Sequence, residues 1–232
     1  MFDFTQQIAV VTGASGALGG VVARRLLDCG ARLILPARNP GRLRSRFASG
    51  SSELIEVLEC AITDAESVAA FAGVVAERHG GAQLLVNVAG GFRGGTPVAE
   101  TPLEVWDEMM AANARSTFLI CRALLPGMLR RGEGAIVNIG SRAAERGGAS
   151  VAAYSAAKAA VLRVTESLAA EIIGTGLRAN CVLPSTIDTP ANRAAMPDAD
   201  RSTWVQPEAV ADVILFLLSP LSRALNGAAL PV

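Results

Sequence analysis

The sequence predicts an α/β protein made of one doubly wound domain, a parallel seven-stranded sheet with helices on both faces. Three observations carry that expectation. Short β-rich runs alternate with amphipathic helical stretches along all 232 residues, the order of repeated strand–helix–strand units. Within the strand runs the apolar residues are nearly continuous, as in Ile8-Ala9-Val10-Val11 and Leu84-Leu85-Val86, the pattern of strands covered on both sides. With 51% apolar residues and no repeat, low-complexity tract or linker, a chain of this size can bury one large core, so residues 1–232 read as a single domain.

The strands are expected at 7–12, 32–35, 53–58, 84–87, 135–139 and 177–182, with a last short one near 228–231. The helices are expected at 17–29, 40–48, 64–78, 102–131, 152–173 and 207–218. The first helix follows a glycine-rich turn, and Thr63-Asp64-Ala65-Glu66 opens the third with a capping residue and acids in its first turn. Thr101-Pro102 puts proline at the first helical position of the fourth, where its missing N–H has no partner to lose. The segment 191–205 is expected to form a lid, with Met196, Trp204 and Phe92 lining an apolar pocket.

Twenty-one basic residues balance twenty-one acidic ones, so no strongly basic surface points to nucleic acid as a partner. Met1-Phe2-Asp3-Phe4-Thr5 lacks the basic and long apolar segments of a signal peptide, and the apolar run 213–218 is far too short to cross a bilayer. A soluble, cytoplasmic protein with no membrane partner is expected. Cys29, Cys60, Cys121 and Cys181 stand far apart, each in or beside an apolar run, and read as buried thiols in a reducing compartment. His79, the only histidine, gives no basis for a metal site.

Between the first strand and the first helix lies Thr12-Gly13-Ala14-Ser15-Gly16-Ala17-Leu18-Gly19. Glycines at 13, 16 and 19 suit a tight turn whose backbone N–H groups, with the helix N-terminus, face a pyrophosphate. Gly13, Ser15, Gly16, Ala17, Leu18 and Gly19 are therefore candidate dinucleotide-binding residues. The second strand ends in Pro36-Ala37-Arg38-Asn39, with no carboxylate at 36–38 to hold a ribose 2′-hydroxyl. Arg38 suits a 2′-phosphate instead, which favours NADP over NAD. Arg42, Arg44 and Arg46 follow, and an ordinary solvated helix face would carry them equally well.

Tyr154 is the only tyrosine and Lys158 the only lysine among twenty-one basic residues. They stand four apart in Tyr154-Ser155-Ala156-Ala157-Lys158, hence on one face of the expected helix. A phenol near its reference pKa of about 10 is a poor acid–base catalyst at neutral pH, and a neighbouring ammonium favours the phenolate. Ser141 closes the fifth strand in Ile136-Val137-Asn138-Ile139-Gly140-Ser141, at the strand end that faces the ligand crevice in such sheets.

Together, residues 12–19, Asn87-Val88-Ala89-Gly90, Asn113, Ser141, Tyr154 and Lys158 resemble the short-chain dehydrogenase/reductase family, whose members share the Rossmann fold. The resemblance runs from the first strand to the end of the chain. It implies that Tyr154 is the acid–base group, that Ser141 orients a carbonyl, and that Lys158 binds the nicotinamide ribose while lowering the pKa of Tyr154. It further implies that Asn113 holds a water in a proton relay and that Asn87, Ala89 and Gly90 support the cofactor beside the fourth strand. Pro184, Ile187 and Thr189, in Pro184-Ser185-Thr186-Ile187-Asp188-Thr189, resemble the segment that holds the carboxamide.

The departures lie in the turn, where Ala17 replaces a middle glycine, at Ala61, where many members carry an adenine-contacting Asp, and at Ser185, where glycine is usual. None removes a catalytic group. The activity implied is interconversion of a carbonyl and a secondary alcohol, on a 3-oxoacyl thioester or another ketone, with NADP or NAD. The turn Gly16-Ala17-Leu18-Gly19 is closer to dihydropteridine-type reductases, which keeps a quinonoid pterin substrate open, and a dinucleotide-sensing protein without turnover is the reading from another class. The resemblance also implies a homotetramer or homodimer built through the helices at 102–131 and 152–173, with Ala152, Ala153, Ala156, Ala157 and Ala160 as a small-residue face.

Overall fold

The computed structural model describes residues 2–47 and 52–232. Among these residues, seven strands form one sheet: β1 (Ile8–Thr12), β2 (Arg32–Ala37), β3 (Ile55–Glu59), β4 (Leu84–Asn87), β5 (Gly134–Ile139), β6 (Leu177–Leu183) and β7 (Ala229–Pro231). Their order is β3-β2-β1-β4-β5-β6-β7 and every neighbouring pair is parallel. The chain reverses its direction of travel across the sheet between β1 and β4, so the crevice at the C-terminal ends of those strands is where such folds bind ligands.

Among the described residues, eight α-helices accompany the sheet: α1 (Ala17–Asp28), α2 (Pro40–Arg46), α3 (Ala65–His79), α4 (Leu103–Met109), α5 (Ser116–Arg131), α6 (Ala152–Glu171), α7 (Pro190–Ala195) and α8 (Pro207–Leu218). Alternation along the strands explains the two-sided core. Ala9 and Val11 of β1 and Val137 of β5 join one cluster, with Leu26 of α1 and Ile214 of α8. Val10, Leu85 and Ile136 point the other way, into a second cluster with Val75 of α3, Ile120 of α5 and Leu168 of α6. Each face is thus closed by helices, and the continuous apolar strand runs have that cause.

The expected helix 102–131 is corrected in the structure. It starts at Leu103 with Pro102 as the residue before it, runs regularly only to Met109, and widens into a π turn over Met110–Arg115 before α5 resumes. The reason lies at Asn113, whose side-chain Nδ2 donates to the Met109 carbonyl at 3.0 Å and the Gly91 carbonyl at 3.1 Å, competing with the ordinary backbone ladder. Smaller differences follow local chemistry. Asp64 caps α3 by accepting from the Ser67 N–H, residues 52–54 form a 3₁₀ turn ahead of β3, and Thr189 caps the short helix α7 within the expected lid. The end of the expected helix 40–48 lies outside the described residues. Cys60, Cys121 and Cys181 are buried as expected, but Cys29, at the exposed end of α1, is only half-buried. No helix among the described residues is long and apolar enough to cross a membrane.

Candidate active site

The glycine turn leaves β1 and enters α1 with no side chain capping the helix: Gly16 occupies the N-cap position, and its N–H donates to the Gly13 carbonyl at 2.9 Å. Gly13 has φ +71°, and a Cβ there would lie 2.7 Å from the Ala89 nitrogen, so the turn presses against the chain leaving β4. A Cβ on Gly19 would collide with the Gly13 carbonyl. Thr12 ties the same corner, its Oγ1 accepting from the Ala89 N–H at 3.1 Å. The uncapped N–H groups of Ala17 and Leu18, the exposed Ser15 and this glycine cradle fit a pyrophosphate, which would take the place of the missing cap. Arg38 is exposed just past β2; Arg46 instead reaches the Ser15 carbonyl, and Arg44 the Val57 carbonyl at 3.0 Å.

The expected catalytic residues converge at the C-terminal end of β5. Ser141 accepts from the Ala143 N–H at 3.1 Å, which leaves its own proton available to an oxygen in the crevice. The loop carrying Ser141 is tied to the one after β6 by the Arg142 N–H donating to the Pro184 carbonyl at 3.1 Å. Tyr154 is half-buried in the first turn of α6, with the Phe92 ring edge-on to it at a centroid distance of 4.9 Å. Lys158, 6% exposed, donates through Nζ to the Ile139 carbonyl at 2.8 Å and lies 5.9 Å from the centroid of the Tyr154 ring. Asn113 is fully buried, and its Oδ1 accepts from the Gly91 N–H at 3.2 Å. A Cβ on Gly90 would fall 2.6 Å from Asn113 Oδ1 and 3.4 Å from Lys158 Nζ. Gly13, Ala89, Gly90, Asn113 and Lys158 therefore form one continuous wall from the glycine turn to the tyrosine.

Burial sets the electrostatics of both Tyr154 and Lys158. Burial pushes the Tyr154 phenol above its usual value, with hydrogen bonding to Ser141 opposing the rise. The Lys158 ammonium donates to the Ile139 carbonyl. Burial draws Lys158 itself from 10.5 to about 8, against an opposing influence from the Cys181 thiol. Three of the expected cofactor-binding residues also have partners within the chain. Asn87 Nδ2 donates to Asn138 Oδ1 at 2.9 Å and lies 3.3 Å from Cys121 Sγ. The Ile187 carbonyl accepts from Asn192 Nδ2 at 2.8 Å, while Thr189 Oγ1 accepts from the Asn192 N–H at 3.2 Å.

Sequence reasoning missed Asn138, Thr165, Asn192 and Arg178. For Asn138 a signal existed, since an amide in the middle of an otherwise apolar, two-sided strand needs a buried partner. The segment expected to form a lid is pinned at both ends. Ile187 bridges Val205, and the Asp188 carboxylate accepts from Arg193 Nη2 at 2.7 Å and from Gln206 Nε2 at 3.0 Å. Arg193 beside Asp188 holds that carboxyl down at about 2.

Known proteins share this architecture. The short chain dehydrogenase family profile matches residues 7–200. The 2-(R)-hydroxypropyl-CoM dehydrogenase of Xanthobacter autotrophicus is 34% identical, over 97% of this chain and 96% of its own. A gluconate 5-dehydrogenase structure from Burkholderia cenocepacia, in complex with NADP and tartrate, superposes with a TM-score of 0.91 at 28% identity, covering 100% of this chain and 95% of the other. A short chain oxidoreductase of Pseudomonas aeruginosa with NADPH bound, described as containing an atypical catalytic center, has a TM-score of 0.90 at 30% identity, with 100% and 97% covered. Matched from β1 past α7 by the family profile and along nearly its whole length by these relatives, the chain belongs to the short chain dehydrogenase family of Rossmann-fold, NAD(P)-dependent oxidoreductases.

Proposed function

We propose that the protein interconverts a small ketone and its secondary alcohol with NADP(H) in preference to NAD(H), and that Tyr154 is the acid–base group. The observation that carries this reading is the convergence of Ser141, Tyr154 and Lys158 at the end of β5, on the wall that begins at the glycine turn. A bound nicotinamide would supply the hydride to the carbonyl carbon, or accept it in the reverse direction. Gly13, Ser15, Gly16, Ala17, Leu18 and Gly19 would hold its pyrophosphate, Ala89 and Gly90 its ribose side, and Pro184, Ile187 and Thr189 its carboxamide end. Arg38, on a strand end without a carboxylate, would hold a 2′-phosphate.

A phenol kept above its usual pKa by burial is protonated at neutral pH, so Tyr154 is loaded to give its proton to the oxygen of a ketone undergoing reduction. Ser141, its oxygen occupied by the Ala143 N–H, donates to the same oxygen and fixes the carbonyl's direction. Once the proton has left, the phenolate stands near a buried ammonium in a setting where water screens little, and Lys158 stabilises it. The side chain of Asn113, spent on Gly91 and Met109, holds the π turn, and Asn113 would hold the relay water from that position. The relatives' names, dehydrogenases of 2-(R)-hydroxypropyl-CoM and of gluconate, are names of alcohol substrates and support the reaction class. The exposed apolar side chains of Leu103, Trp106 and Phe118 on α4 and α5 support a homodimer or homotetramer.

The test follows NADPH and NADH oxidation against β-ketoesters, diketones, quinones and quinonoid pterins, with Tyr154→Phe alongside. Turnover of a ketone, NADPH preferred, and a loss of about a hundredfold or more in the variant support the reading. Dinucleotide binding without turnover of any carbonyl would move the assignment to a sensor, and turnover confined to pterins to a pteridine reductase.

A further inference from the structure

A chain of buried hydrogen bonds runs behind the site through three elements. Asn87 Nδ2 on β4 donates to Asn138 Oδ1 on β5 at 2.9 Å. Asn138 Nδ2 donates to Thr165 Oγ1 on α6 at 2.9 Å, and the Thr165 hydroxyl donates to the Val161 carbonyl at 2.8 Å. Asn138 and Thr165 are both fully buried. Thr165 lies two helical turns beyond Lys158 and so shares its face of α6. The next residue along β5, Ile139, accepts from Lys158. Neighbouring residues of one strand thus grip α6 at two points about 10 Å apart along its axis.

The apolar contacts around these bonds, Val161 and Leu162 with Cys181 and Leu183, hold α6 against the sheet but tolerate sliding. Hydrogen bonds of fixed length do not, and leaving either amide unpartnered in this interior is unfavourable. We infer that Thr165, through Asn138, is a positioning residue that sets the height of α6 and thereby aligns Tyr154 with Ser141. The inference rests on the reading of Tyr154 as the acid–base group.

Its test compares wild type, Thr165→Val and Thr165→Ser, with Val75→Ala in α3 as a control for lost stability remote from the site. Valine keeps the volume and removes the acceptor; serine restores the hydroxyl. On a ketone that the wild type reduces, Thr165→Val lowers kcat about tenfold or more at unchanged dinucleotide Kd, because small misplacements of a reacting group are costly. Thr165→Ser recovers most of that loss, and Val75→Ala loses thermal stability with kcat intact. Tyr154 is the only tyrosine, so its phenolate absorbance can be titrated without substrate; its midpoint moves by about half a pH unit or more in Thr165→Val and stays in Thr165→Ser. A folded Thr165→Val with wild-type kcat and wild-type tyrosine titration overturns the inference. A wild type that reduces no ketone overturns the acid–base reading instead, and the titration still decides the placement. If Thr165→Val does not fold, Thr165→Cys replaces it: the weaker acceptor gives a partial shift in both readouts if the inference holds, and none if it does not.

Discussion

Lys158 puts a charge where a charge is unfavourable, and that has a signature in stability. Its folded value of about 8 lies below its ordinary 10.5. Below about pH 8 both folded and unfolded chains are protonated and the full penalty of the buried ammonium is present. Above it the folded chain releases its proton first, so the unfolded state binds more protons and stability rises with pH. Urea denaturation of the wild type between about pH 8 and about pH 9.5 should show a gain on the order of 1–2 kcal/mol that Lys158→Met lacks; parallel curves for the two proteins would place the lysine in a wetter setting than this. Gly19 argues the opposite case, where a residue matters by having no side chain. Gly19→Ala would drive its Cβ into the Gly13 carbonyl and open the turn. A fluorescence titration should find dinucleotide affinity reduced at least about tenfold. Both residues were legible as chemistry: a sole lysine beside a sole tyrosine, and a glycine where a helix meets a turn. The direction of the tyrosine's pKa was not, because burial is a property of the packed chain and leaves no trace in spacing.

Elements carry the next level of explanation, and here the sequence spoke unevenly. Capped, amphipathic helices such as α3 could be read within a residue or two, because Asp64 and the apolar spacing act locally. The π turn at Met110–Arg115 could not, since it depends on Asn113 meeting Gly91, 22 residues away in the chain. Arg178 is another long-range device. Standing on β6, it donates to the carbonyls of Leu217 at 2.9 Å and Ser219 at 3.1 Å and to Ser222 Oγ at 2.8 Å, closing the C-terminal end of α8 with a positive charge. Arg178→Met should lower stability by about 2–3 kcal/mol in chemical denaturation, since it strips charged donors from several carbonyls at once. Arg178→Lys should recover only part, lacking the planar fork. A methionine variant as stable as wild type would show that α8 is held by its apolar face alone.

At the scale of the whole molecule, fold class and the position of the crevice follow from alternation and from glycines, which is why they could be anticipated. Surfaces are harder to read, because an exposed apolar residue and a buried one look alike in a sequence. The small-residue face expected on α6 illustrates the point. Ala153 and Ala157 are spent inside the subunit against Met109, while Ala152, Ala156 and Ala160 remain partly exposed in a stripe. The molecule also exposes large apolar side chains: Leu103 and Trp106 on α4, Phe118 and Leu129 on α5, and Ile173 just past α6. Leu103 and Ile173 are more than 70% exposed, an arrangement that is unfavourable for an isolated subunit and favourable once a second copy covers it. Light scattering should therefore give a dimer or a tetramer. Phe118→Glu puts a charge at one of these exposed apolar positions without touching the core, since the side chain is about half exposed. It should shift the protein to a smaller species with little change in far-UV dichroism. A wild type that is monomeric at micromolar concentration would mean that these side chains serve another partner, and a Phe118→Glu protein that still assembles would move the contact away from α5.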